Sequence, residues 1–122
     1  MVKYKHIIRA MELETSKTLM FDQLTIDLIL KGKKTQTRRL RKNDTRPAVP
    51  GNIHTLKKDR TPKKYGEIEI ISCEKSTFGK ITPKDAKEEG FNNIEEYTEY
   101  FTSVNGPVNK TTPIWVIKFK LL

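Results

Sequence analysis

The sequence predicts a small α+β domain with a curved, mostly antiparallel sheet and few helices. Three observations carry this. The chain's 122 residues suit one domain, since domains hold about 100 to 150 residues around a single core. Residues 114–121 alternate, with Trp115, Ile117, Phe119 and Leu121 on one side and Ile114, Val116, Lys118 and Lys120 on the other, which is the period of a half-buried strand. Helix signals are few and short: Asp22 and Gly32 bracket one apolar stretch, Thr82-Pro83 and Gly90 a second, and Asn92 or Asn93 opens a third.

In chain order, residues 1–16 read as an N-terminal extension with an added edge strand near Tyr4 to Ile8, and 17–122 as the domain. Residues 17–21 form a short β-prone run. A helix follows over 22–31, capped by Asp22 and stopped at Gly32, with Phe21, Leu24 and Leu28 facing inward at i, i+3 and i+7. Residues 35–40 extend as a strand, 41–48 are polar, and Pro50-Gly51 turns the chain into a strand over 53–56. A basic loop leads to a strand over 67–74, placing Ile68 and Ile70 on one face and Ile71 and Cys73 on the other. The helix over 83–89 precedes one whose Ile94, Tyr97, Phe101 and Val104 share a face before Asn105-Gly106-Pro107. Trp115 reads as core, because its neighbours at i+2 and i+4 are apolar.

Charge points to the class of partner. Lys and Arg number 24 against 15 Asp and Glu, a net charge of +9, and residues 31–64 hold 13 of those cations with only Asp44 and Asp59 opposing them. Residues 81–101 are acidic by contrast, with Asp85, Glu88, Glu89, Glu95, Glu96 and Glu99 against Lys84 and Lys87. A basic block beside an acidic face is what a domain tracking phosphates presents, so nucleic acid is the leading class of partner. One cysteine, Cys73, has no partner for an internal disulfide or a zinc site. His6 and His54 stand alone, and neither a metal nor a cofactor is expected. Without an apolar run near the roughly 20 residues that span a bilayer, and without a signal-peptide pattern, the sequence reads as cytoplasmic with no membrane partner.

The one dense constellation is Gly32-Lys33-Lys34-Thr35-Gln36-Thr37-Arg38-Arg39. Taken alone it reads as a glycine helix stop followed by a basic edge strand. Gly32, Lys34 and Arg39 match the GxKxxExR signature of ASCH domains, and residues 18–39 resemble the start of a compact bacterial and phage group of that family. Val49-Pro50-Gly51-Asn52-Ile53 resembles the family's PGD turn, and residues 114–119 resemble its closing strand. The resemblance spans 17–122. It implies a PUA-like, mostly antiparallel β-barrel of about five or six strands with two or three short helices, its principal cleft lined by 32–39. Two departures stand out: Thr37 replaces the signature's Glu, and Asn52 replaces Asp.

The Thr variant resembles the small bacterial N(4)-acetylcytidine amidohydrolases, for which a Lys, a Thr and a Glu are the proposed catalytic set. Carried onto this chain, the resemblance implies Lys34, Thr37 and Glu89, with Glu88 the alternative acid. Amide hydrolysis at an exocyclic amine needs a nucleophile, a proton acceptor and a donor for the departing nitrogen, which Thr37, Lys34 and Glu89 would supply in that order. Lysine ordinarily titrates near 10.4, so a lysine base requires burial or a neighbouring cation. Lys33, Arg38, Arg39, Arg41, Lys57, Lys58 and Arg60 are expected to form a positive RNA-binding rim. The alternatives are a non-catalytic RNA-binding module and an ASCH-type ribonuclease using the same basic cleft.

Overall fold

Residues 19–122 are described by the structure, a computed structural model. The expected extension over 1–16, with its edge strand, lies outside the described residues. Helix α1 (Gln23–Leu30) is followed by strands β1 (Gln36–Leu40), β2 (Ile53–Leu56) and β3 (Gly66–Thr77), a 3₁₀ turn (Phe78–Lys80), helices α2 (Pro83–Glu88) and α3 (Ile94–Asn105), and strand β4 (Pro113–Leu121). The strands form one curled antiparallel sheet in the order β1-β4-β3-β2. The two central strands thus come from the second half of the chain and both edges from the first.

Among the described residues the sheet has four strands and forms a half-barrel, where the family resemblance implies about five or six. Of the 17–21 run, described from Leu19 on, Met20 makes a parallel bridge to Lys57. The reason is local: Asp22 caps α1 immediately afterwards, its carboxylate accepting from Thr25 N at 2.9 Å, so the extended run is turned aside before it can pair further.

Two apolar clusters hold the sheet. Leu19, Phe21, Ile26, Ile29, Leu56, Ile68, Ile70, Cys73, Trp115, Ile117 and Phe119 form the larger, while Phe78, Ala86, Tyr97, Phe101 and Ile114 join α2 and α3 to the sheet end. The alternation in β4 feeds both, since Trp115, Ile117 and Phe119 enter the first cluster and Ile114 the second. Burying each such aliphatic or aromatic side chain contributes about 1.5–3 kcal/mol before entropy is counted.

Three face assignments differ from the sequence expectation. In α1 the sheet takes Ile26 and Ile29 rather than Leu24, which is 51% exposed. Five of the eight residues of α1 are aliphatic, so its 3.6-residue period selects no single face. In β3 a bulge between Ile70 and Ser72 inserts one residue, which leaves Ile71 in solvent and brings Cys73 onto the face of Ile68 and Ile70. Val104, expected inward on α3, is likewise exposed.

Candidate functional site

Gly32 adopts φ +77°, the left-handed conformation that glycine favours, and ends α1. Both Lys33 N and Lys34 N then donate to Leu28 O, at 2.8 and 3.1 Å, so the chain folds tightly back before β1 begins. Across from it, Thr82 opens α2 with a reciprocal capping box to Asp85, and Glu89 closes that helix. Thr35 N donates to Glu88 O at 2.8 Å. This main-chain bond joins β1's entry to α2's exit and sets Lys34 beside Glu89.

The two side chains meet in a buried ion pair, Lys34 Nζ to Glu89 Oε1 at 2.7 Å, with 2% and 1% of their surfaces exposed. Burial pushes the Lys34 ammonium below its usual pKa, the nearby Arg39 adds to that, and Glu89 opposes it. Burial likewise raises the Glu89 carboxyl against the pull of Lys34, Arg38 and Arg39. Both groups are driven toward their neutral forms, the condition a lysine base and a carboxylic acid donor need. Glu89 Oε2 has no hydrogen-bond partner.

Lys34, Thr37, Arg38, Arg39 and Glu89 line one cavity of about 180 Å³, walled by Tyr97 and Phe101 and bordered by Asp22 and Tyr100. Thr37 is 4% exposed, and its Oγ1 accepts from Arg39 Nε at 3.2 Å, leaving its own proton to give away. Arg39 is held in turn by donating to Met20 O at 2.8 Å and by lying 4.8 Å over the Phe21 ring. At the border, Tyr100 donates to Asp22 Oδ2 at 2.6 Å, tying α3 to the N-terminus of α1. Sequence reasoning found Asp22 as a cap but not Tyr100 or Tyr97 as cavity residues. Their i, i+3 spacing was the available signal, and it reads equally well as core.

The ASCH domain profile matches residues 14–122. The chain belongs to the ASCH domain family. Solved structures agree on the fold. An ASCH domain from Lactobacillus crispatus JV V101 superposes with a TM-score of 0.62 at 19% identity over 80% of this chain and 70% of its own. Protein EF3133 from Enterococcus faecalis V583 gives 0.64 at 17% over 83% and 68%, and an ASCH protein from Zymomonas mobilis gives 0.58 at 15% over 84% and 66%. No curated protein matches significantly.

Within this ASCH domain the two acids expected as alternatives part company. Glu89 points to Lys34, whereas Glu88 Oε1 accepts from Gln36 Nε2 at 3.0 Å. Of the expected positive rim, Arg38 is not on the surface: its side chain is 3% exposed and pairs with Asp85 at 3.1 Å. Lys33 is exposed at the turn after α1, Arg41 rests 5.9 Å over the Trp115 ring, and Lys57, Lys58 and Arg60 lie at the end of β2 and beyond, outside the cavity lining. Among the described residues no three His, Cys, Asp or Glu side chains converge as a metal site, and no helix is long and apolar enough to cross a membrane.

Proposed function

We propose that this ASCH domain hydrolyses the amide of an N(4)-acylated cytidine through Thr37, Lys34 and Glu89. The observation that carries the reading is the buried Lys34–Glu89 pair sharing one cavity with the Thr37 hydroxyl. Cavities for drug-sized ligands run to about 300–1,000 Å³, so one of 180 Å³ suits a single ring with its acyl group, the sugar remaining outside.

The reaction starts from the neutral pair. Thr37 Oγ1 attacks the acyl carbon and its proton passes to Lys34 Nζ. The carbon–nitrogen bond then breaks, and the departing amine takes the proton of Glu89, leaving an acyl ester on Thr37 and a charged Lys34–Glu89 pair. Water attacks the ester, giving a proton to Glu89 while Thr37 recovers its own from Lys34, and the carboxylic acid departs. Arg39, donating to the Thr37 oxygen, steadies the charge that develops there.

The test is acetate release from N(4)-acetylcytidine by purified protein. Turnover is expected for the wild type and absent for Lys34→Ala whose fold is verified by circular dichroism. Thr37→Ser should retain part of the rate and Thr37→Val, nearly the same shape, should not. Equal rates for wild type and Lys34→Ala would remove the assignment.

A second reading, RNA binding without catalysis, draws support from an open groove of about 730 Å³ that adjoins the cavity. The two share Arg39, Val104 and Asn105, and the groove adds Lys42 and Arg46 with no acidic residue in its lining. A cation-lined groove predicts affinity that falls steeply with salt, roughly one log unit per log unit of salt for each phosphate neutralised, whereas a neutral nucleoside responds little.

A further inference from the structure

Arg38 is held on two edges. Its Nη2 donates to Asp85 Oδ2 and its Nε to Gln36 Oε1, each at 3.1 Å. Gln36 Nε2 reaches Asp85 Oδ1 and Glu88 Oε1, at 3.3 and 3.0 Å, which fixes the amide so that its oxygen faces the guanidinium. Asp85 is itself fixed, accepting from Thr82 N at 2.9 Å. The fork is therefore pre-set in plane and angle by β1 and α2 together.

What remains is Nη1. It is buried without a hydrogen-bond partner, and so is Glu89 Oε2; both residues line the one cavity. Leaving a buried donor and a buried acceptor unsatisfied is costly, the more so on charged groups, and native structures keep such groups where a ligand completes them. A guanidinium donor and a carboxylate acceptor lining one cavity make a recognition pattern with a complement. Cytosine offers acceptors at its ring nitrogen N3 and 2-carbonyl and a donor at its exocyclic amine. Uracil presents a ring N–H and a 4-carbonyl in the same places, setting donor against donor and acceptor against acceptor.

We infer that Arg38 is the base-reading residue of the cavity, its Nη1 donating to the acceptor edge of cytosine while Glu89 Oε2, as the carboxylate left once the amine has taken its proton, accepts the exocyclic N–H. The choice of cytosine rests on the amidohydrolase reading; the donor–acceptor pair does not. Arg38 thus determines specificity, and Lys34, Thr37 and Glu89 carry the chemistry.

Binding of the deacylated nucleosides tests this apart from turnover. Titrated into wild-type protein, cytidine should bind at least tenfold tighter than uridine, the scale of discrimination by a good base-edge pairing, and should shift the Arg38 side-chain nitrogen resonances that uridine leaves in place. Arg38→Lys keeps a cation for Asp85 but loses the fork, and should bring the two affinities within about threefold. If that variant does not fold, the wild-type resonances decide alone. Equal wild-type affinities, or an Arg38 signal indifferent to cytidine, would overturn the inference. Arg38-dependent cytidine binding without turnover keeps the inference and removes the reaction, while turnover with an unchanged preference in Arg38→Lys does the reverse.

Discussion

Removing one partner of the Lys34–Glu89 pair should harm stability more than removing both. Lys34→Met takes away the hydrogen-bond donor that Glu89, 1% exposed, has among the described residues, and stripping one partner from a buried pair typically costs about 3–5 kcal/mol. Against a total domain stability of about 5–15 kcal/mol, that is enough to populate the unfolded state. Replacing both by apolar side chains of similar volume is often neutral or stabilising by about 1–4 kcal/mol, so Lys34→Met/Glu89→Met should be more stable than Lys34→Met alone. The deficit of the single variant should also depend on pH. The folded-state pKa of Glu89 is already raised by burial, with Lys34 pulling it back, and loss of Lys34 raises it further. A group with a raised folded pKa gives full stability below its unfolded value and loses it as pH rises through the folded one. Lys34→Met should therefore be most stable below the ordinary carboxyl range and weaken as pH rises, by about 1.4 kcal/mol per unit at most for one proton. Urea unfolding of the four proteins of the cycle between pH 4 and pH 8 measures both effects. Additive single losses, or a Lys34→Met deficit unchanged with pH, would refute the reasoning.

The pH–rate profile should be a bell, rising as Lys34, whose pKa is lowered by burial, gives up its proton and falling as Glu89 loses its own. The limbs belong to the pair, and initial rates in buffers of constant ionic strength would show them; a flat profile would contradict the acid and base roles. Gly90→Ala should destabilise the domain by about 1–3 kcal/mol, because Gly90 sits at φ +98° and an added Cβ would lie 2.8 Å from Leu28 Cδ1. Turnover should fall with it, since that residue follows Glu89. Asn93→Ala should cost about 1 kcal/mol in thermal unfolding through the lost cap to Glu96 N. Reversing Lys57, Lys58 and Arg60 to Glu should lower RNA retention at low salt if the basic block binds phosphates, and unchanged retention would assign those residues to a solvated surface.

The sequence made some parts of this molecule legible and hid others for physical reasons. Capping residues read well, because Asp22, Thr82 and Asn93 act on their own backbone within three residues, and strong alternation placed β4. Faces read poorly where nothing local decides them: the all-round apolar α1 takes its orientation from the sheet, and the β3 bulge shifts Cys73 through pairing with β4. Lys34, Thr37 and Glu89 came from the family resemblance, the first two through the GKKTQTRR motif and Glu89 through its place in a short helix between the central strand and a second helix. The position of Arg38 was hidden because one arginine in a basic run looks like another. Its burial depends on Asp85, 47 residues away on α2, reaching it beside its strand neighbour Gln36.

The strand order carries a consequence for how the protein is made. Its N-terminal half contains Lys34 and Thr37 and also both outer strands, yet β1 and β2 do not pair with each other: β2 pairs with β3 and β1 with β4. During synthesis, β2 meets its partner as soon as β3 follows it, whereas β1 must wait for the last strand. Closing such long-range pairings is slow, and until β4 has been made the strand bearing Thr37 stays unpaired. The cavity that Lys34, Thr37 and Glu89 share is thus completed late, when β1 takes its place against β4.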